Sequence, residues 1–232
     1  MKVLSVDTST MMGSVALVED ERIISEFALN LQTTHSQRLL TTIDQLLKSS
    51  HCPIELIDGF AVALGPGSFT GLRIALSSVK GLAMASGKPV VGVSTLEALA
   101  LNLQSSRHFV CPLLDARKME VYAALFRFDQ SDNLVRLKED SVLPPEAVLA
   151  EIEQTTVFLG SGADLYQDLI RERLGRRAIF APINLRYPRA VNVARLALPR
   201  LQRGETMEIE SLIPTYLRRS EAELKFSPAG RR

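Results

Sequence analysis

The sequence predicts an α/β protein of two similar lobes, each a mixed sheet flanked by helices, and three observations carry that prediction. Of the 232 residues, 46% are hydrophobic, yet no apolar run approaches the length needed to cross a bilayer. The chain can therefore bury a core large enough for two lobes of roughly 100 residues each. The apolar run Phe60 to Leu64, bounded by glycines, suits a strand covered on both faces, as in a parallel sheet. A strand that ends on an acid and is followed by a second strand occurs twice, at Val3 to Asp7 then Ser14 to Val18, and at Phe109 to Asp115 then Val121 to Phe128.

In chain order, Lys2 to Asp7 forms the first strand, and the small hydroxyl residues Thr8, Ser9 and Thr10 with Gly13 turn it into Ser14 to Val18. Glu19-Asp20-Glu21 turns again into Arg22 to Ala28, which makes a three-strand meander. Thr33 to Lys48 is helical, with Leu39, Ile43, Leu46 and Leu47 on one face and Leu40 beside it. After Phe60 to Leu64, Gly65, Pro66 and Gly67 stop the strand, since proline lacks a ladder donor and glycine permits positive φ and close approach. Leu72, Ala75, Leu76, Val79, Leu82 and Ala83 then recur at helical spacing, with Thr70 as the expected cap. Gly87-Lys88-Pro89 ends that helix, Val90 to Val93 is a buried strand, and Thr95 to Leu103 is a helix capped by Thr95. Polar residues 104–107 form a linker, so the first lobe is expected over residues 1–105.

The second lobe is expected over residues 106–217. Pro144-Pro145 precedes a helix from Glu146 to Glu153, Val157 to Leu159 is a strand, and Gly160-Ser161-Gly162-Ala163 opens a helix from Asp164 to Leu174. Ala190 to Leu201 is the last helix, bent or ended at Pro199. Residues 218–232 carry five Lys or Arg and two acids without periodicity, which predicts a flexible tail.

A net charge of +1 hides an asymmetry: residues 171–203 hold nine arginines, no lysine and the single acid Glu172. Such a stripe can attract phosphates or serve as an ordinary solvated surface, and it lacks the aromatic interleaving of an RNA-binding module. Met1-Lys2-Val3 passes directly into a strand with no secretory pattern, and Cys52 and Cys111 lie far apart without metal-ligand spacing. Free thiols in a reducing cytoplasm are expected, with no membrane partner. The glycines at 65, 67 and 71 match neither the G-x-G-x-x-G fingerprint nor a Walker A loop. A strand, glycine loop and helix start still permit an anion site. His35 lacks a second ligand one turn later, because position 39 is Leu, and His51 and His108 have no local partner. No metal site and no metalloprotease set is expected.

The string Gly-Pro-Gly-Ser-Phe-Thr-Gly-Leu-Arg-Ile at 65–74 resembles the signature of the bacterial TsaB family. Supporting matches are Leu-Ser-Val-Asp-Thr-Ser-Thr at 4–10, His-Ser-Gln-Arg-Leu-Leu at 35–40, Val-Ser-Thr-Leu-Glu-Ala-Leu-Ala at 93–100, Asp-Ala-Arg-Lys-Met-Glu-Val-Tyr at 115–122 and Pro-Thr-Tyr-Leu-Arg near the end. The resemblance covers nearly the whole chain. It implies the actin-like ATPase (ASKHA, ribonuclease H-like) fold, with Asp7 and Asp115 at the places of two phosphate hairpins. Asp7, Thr8, Asp115, Gly160 and Gly162 are then weak nucleotide-binding candidates, although Arg117 and Lys118 stand where active kinases of that superfamily have glycine. The structural alternative for Asp7 is a turn acid. For the glycines it is plain strand-to-helix geometry.

The resemblance further implies a non-catalytic but required partner of the TsaD threonylcarbamoyltransferase. The complex makes N6-threonylcarbamoyladenosine at position 37 of tRNAs that read codons beginning with A. TsaD, whose corresponding helix carries two metal-binding histidines, would form a heterodimer with the chain, and the ATPase TsaE would join them. The chain alone would form a homodimer, and tRNA would be contacted through the complex. No cofactor is required by the chain itself, with at most weak ATP or ADP binding at an interface of the complex. The partner-interface candidates are His35, Leu39, Ile43, Leu72, Ala75, Leu76 and Val79, on two helices whose apolar faces could equally be core. The competing reading is an independent ATPase or small-molecule kinase, for which the sequence supplies no clear base.

Overall fold

The computed structural model describes residues 1–30 and 38–218. The predicted helix start at Thr33 and His35 lie outside the described residues, as do residues 219–232 of the predicted tail. β1 (Lys2–Asp7), β2 (Met12–Glu19) and β3 (Arg22–Asn30) form the expected antiparallel meander. β4 (Gly59–Gly65) pairs parallel with β1, and β5 (Val90–Ser94) pairs parallel with β4. The sheet order is β3-β2-β1-β4-β5.

The second sheet repeats this pattern strand for strand. β6 (Phe109–Asp115), β7 (Val121–Phe128) and β8 (Leu134–Leu143) are antiparallel, and β9 (Thr156–Leu159) and β10 (Ala178–Phe180) continue parallel from β6. Its order is β8-β7-β6-β9-β10, the same topology as the first. Two of these strands carry no clear signal in the sequence. β8 is an edge strand with charges at Arg136, Lys138, Glu139 and Asp140 and no fully buried residue, and β10 has only three residues.

Alternation along β1 divides the first core. Leu4 and Val6 meet α1 (Leu39–Ser49) and α2 (Phe69–Ser86), while Val3 packs against α7 (Ala190–Gln202) on the opposite face. The second sheet is covered on one face by α4 (Pro145–Ala150), α5 (Ser161–Leu165) and α6 (Gln167–Leu174). Its other face packs on Leu96 and Leu99 of α3 (Thr95–Ala100). Each sheet thus receives the helix that follows the last strand of the other. This exchange locks the lobes together, with Asn192 at its centre, donating to Ala98 O at 3.1 Å and Asn102 Oδ1 at 2.7 Å.

The expected boundary at 105/106 separates the two sheets, but residues 106–217 are not one lobe. α7 returns to the first sheet, Met207 N donates to Val90 O at 3.0 Å, Leu212 is buried in the first core, and Thr215 N donates to Leu64 O at 2.7 Å. Cap assignments also shift. Ser68 caps α2 by accepting from Gly71 N at 3.2 Å, and Ser94 caps α3 by accepting from Glu97 N at 3.3 Å, so Thr70 and Thr95 fall inside their helices. The expected single helix from 164 to 174 breaks at Tyr166, and α7 runs past Pro199 to Gln202. Both cysteines are buried, and burial pushes the Cys111 thiol up to about 12.

The tightest packing lies where α2 begins. A Cβ on Gly71 would stand 1.9 Å from Thr8 O, whereas one on Gly81 would meet nothing within 4 Å. Gly71→Ala is expected to destabilise the fold by about 2–3 kcal/mol through overpacking, and Gly81→Ala to stabilise it by up to about 1 kcal/mol through helix propensity. Urea unfolding of the two variants checks the opposite signs.

Candidate interlobe cleft and helix surface

β1 and β6 are equivalent strands, and both end in an acid that closes its own turn. Asp7 is fully buried, and its Oδ1 accepts from Ser9 N at 2.8 Å and Ser9 Oγ at 2.5 Å. Asp115 Oδ1 accepts from Arg117 N at 2.8 Å, and its Oδ2 stands 3.1 Å from Arg117 Nη1. Both carboxylates serve as turn acceptors two residues along, the ordinary Asx geometry. The turn after Asp7 is pinned beneath α2. Thr8 Oγ1 donates to Gly71 O at 2.7 Å, and Ser68 N donates to Ser9 O at 2.7 Å.

This placement sorts the nucleotide candidates. Asp7 and Thr8 are buried and do not line the cleft between the lobes, whereas Asp115 does. Gly160, at φ 98°, lies so near Leu113 O that a Cβ would approach to 2.3 Å, and Gly162 packs against the same strand. Their role is to seat α5 on β6, while Ser161 between them lines the cleft and accepts from Asp115 N at 3.1 Å.

The cleft encloses about 760 Å³. Its most distinctive wall comes from residues the sequence reading did not select: Phe69 and Arg73 on α2, Tyr122, Tyr216 and Arg218. Tyr216 stacks on Phe69 with ring centroids 5.0 Å apart, and the Arg73 guanidinium lies 5.2 Å from the same ring. Burial, and then the neighbouring Asp115 charge, raise the Tyr122 pKa. Phe69 and Arg73 belong to the glycine-rich string, and Tyr216 and Arg218 to Pro-Thr-Tyr-Leu-Arg, so those two motifs held the available signal. Nothing in them shows that the ends meet. Chemically, the cleft offers cations, hydroxyls and aromatic faces. Among the described residues, no group of three His, Cys, Asp or Glu gathers where a metal could be held, and no helix is long and apolar enough to cross a membrane.

The interface candidates require a correction. Leu39, Ile43, Leu72, Ala75, Leu76 and Val79 are each at most 5% exposed, with all but Leu72 in the core of the first sheet and Leu72 against Gly65 of β4, so they are core. Helical periodicity marks the inward face here. Outward from the same helices stand Leu40, 55% exposed, and Met84, 69% exposed, with Arg73, Ser77 and Gly81 also exposed. A largely apolar groove of about 490 Å³ runs between Leu40, Leu47, Cys52, Ile54 and Leu82. A second hollow of about 410 Å³, along Thr70, Ile74 and Ser77, shares Phe69 and Arg73 with the cleft.

The arginine stripe is largely structural. Arg177, Arg186 and Arg200 donate to carbonyls of Ile152, Ala181 and Gly92, and Arg195 binds Gln104. Arg203 pairs with Glu205, Arg171 covers Phe180, and Arg189 pairs with Glu26. Glu26 also accepts from Val191 N at 3.3 Å, so this ion pair anchors the start of α7.

Two copies of a five-stranded mixed sheet, exchanging helices around a central cleft, define the actin-like ATPase class of ribonuclease H-like folds. The model of a family described as "TsaD: tRNA N6-adenosine threonylcarbamoyltransferase" matches residues 22–226. TsaB of Bacillus subtilis (strain 168) is 30% identical over 231 residues, covering 97% of this chain and 98% of its own. TsaB of Escherichia coli (strain K12) is 31% identical over 227 residues, covering 96% of each chain. A crystal structure from Pseudomonas aeruginosa, described as an uncharacterized protein with similarity to peptidase YeaZ, superposes with a TM-score of 0.79 at 34% identity, covering 94% of this chain and 99% of that one. Within its fold class, the chain belongs to the TsaB family.

Arg189→Ala is expected to lower stability by about 1–2 kcal/mol, because it strips the nearly buried Glu26 of its cation, with the cost limited by the 41% exposure of Arg189 itself. Arg173→Ala, on the exposed side of α6, should stay within about 0.5 kcal/mol. Urea titrations of both variants check this, and a neutral Arg189→Ala would contradict the anchoring role.

Proposed function

We propose that this chain supports the formation of N6-threonylcarbamoyladenosine in tRNA by docking onto a TsaD transferase in the cytoplasm, and performs no group transfer itself. The observation that carries this reading is the state of the two strand-end acids: Asp7 is sealed beneath α2, and Asp115 is bonded into its own turn. Phosphoryl or acyl transfer would need a group poised to position or deprotonate an acceptor, and neither acid is so placed. The names of full-length relatives support the pathway, since the Bacillus subtilis and Escherichia coli proteins are described as tRNA threonylcarbamoyladenosine biosynthesis proteins.

The docking surface is the outward stripe of α1 and α2 that carries Leu40, Ser77, Gly81 and Met84 and does not reach Gln45, rather than the buried residues that periodicity selects. Ser77 and Gly81 let another helix approach closely, and Leu40 and Met84 supply exposed apolar area. TsaE joins the assembled pair, tRNA is met through the complex, and the same surface pairs two copies when TsaD is missing. A weakly held ATP or ADP would sit at an interface of the complex, where the stack of Arg73 on Phe69 borders both the cleft and the α2 hollow.

Ser77→Arg is expected to weaken capture by tagged TsaD about tenfold or more, with a melting temperature near that of the parent. Gln45→Arg, elsewhere on the exposed side of α1, should bind normally, while Leu39→Arg should unfold the lobe. Undiminished capture of a folded Ser77→Arg variant would contradict this surface.

A further inference from the structure

Residues Thr215 to Arg218 run from one wall of the cleft to the other. At the first lobe Thr215 N donates to Leu64 O at 2.7 Å, and Tyr216 stacks on Phe69 at the start of α2. Two residues later the chain reaches the second lobe, where Arg218 Nη1 donates to Ala116 O at 2.8 Å and Nη2 pairs with the Glu120 carboxylate. These two acceptors stand at either end of one turn. A single guanidinium fork therefore clamps both ends, which the point charge of a lysine could not do as well.

The clamped turn is an unusual one. Arg117, Lys118 and Met119 have φ of 60°, 53° and 61°, three consecutive non-glycine residues in the left-handed region. A Cβ crowds the following carbonyl there, so such a run persists only where its surroundings over-determine it. Packing contributes little, because Arg117 and Met119 are both highly exposed. Within the turn, Ala116 N donates to Glu120 O at 3.0 Å and Glu120 N to Arg117 O at 3.1 Å, and Asp115 accepts from Arg117 N. From the other side of the cleft, Arg218 adds a bond at each end of the turn.

We infer that Arg218 is the latch of an interlobe strap. Its bonds to Ala116 and Glu120 hold the left-handed turn in place and tie the two walls of the cleft together, and their release frees the turn. The strap is a property of the isolated chain, independent of whether α1 and α2 dock a partner.

Lys118 provides the readout. The protease Lys-C cuts after lysine alone, so it reports opening of this turn while leaving the strap arginine uncut. Arg218→Ala and Glu120→Gln are each expected to speed cleavage after Lys118 about tenfold over the parent, since cleavage tracks the population of the locally opened form. Cleavage after Lys88 and Lys138 should be unchanged. The double variant should be no faster than Arg218→Ala alone, because that substitution already removes the pair with Glu120. Arg218→Ala cut at the parent rate would overturn the latch. So would an equal acceleration at Lys88 and Lys138, which reports general loosening, or a double variant faster by the product of the two effects.

Discussion

The structure depends on one backbone contact that only glycine allows. Gly67 and Gly71 press the start of α2 onto the Ser9 and Thr8 carbonyls, which a Cβ would approach to 2.4 Å and 1.9 Å respectively. The contact buries Asp7 and Thr8, while Thr10 and Met11 farther along the same turn line the cleft. It also sets the direction of α2, whose first turn projects Phe69 and Arg73 toward the second lobe. The glycine-rich string therefore shapes the cleft wall by packing.

Around that contact the two lobes are made inseparable. α3 leaves the first sheet to cover the second, α7 leaves the second to cover the first, and the buried Asn192 joins them through α3 and Asn102. Buried polar groups of this kind are costly unless paired, and here the pairing spans both helices. Glu26 with Arg189 and Ser14 with Ala190 N fix the start of α7 at 2.7 Å from the sheet in the latter bond. The chain then returns along the first lobe and crosses to the second through Tyr216 and Arg218. Such a frame leaves Leu40, Ser77, Gly81 and Met84 exposed on the outer sides of α1 and α2.

Much of this architecture was legible from residue pattern alone. The meander, the buried β4, the amphipathic α2 and the repeated strand ending in an acid each follow from apolar spacing and glycine placement. β8 was hidden because an edge strand tolerates the charges of Arg136, Lys138, Glu139 and Asp140, which blur its alternation. The helix caps moved by one or two residues because Ser68 and Ser94 compete with the neighbouring threonines for the same role. The site was less legible for two reasons. Periodicity finds the face a helix buries, so Leu39 and Ala75 were visible while Ser77 and Gly81 were not distinguished from solvated surface. The cleft wall joins Phe69 to Tyr216, a tertiary contact that no local pattern encodes.

The central claim is that the chain contributes through its outer helix surface and not through chemistry in its cleft. Nucleoside analysis of tRNA after reaction with TsaD and TsaE, comparing two variants of this chain, tests it most directly. Asp115→Asn keeps a turn acceptor while removing the cleft carboxylate, and should leave N6-threonylcarbamoyladenosine at the parent level, whereas folded Ser77→Arg should abolish it. Loss of the modified nucleoside with Asp115→Asn, alongside full retention with Ser77→Arg, would contradict the account.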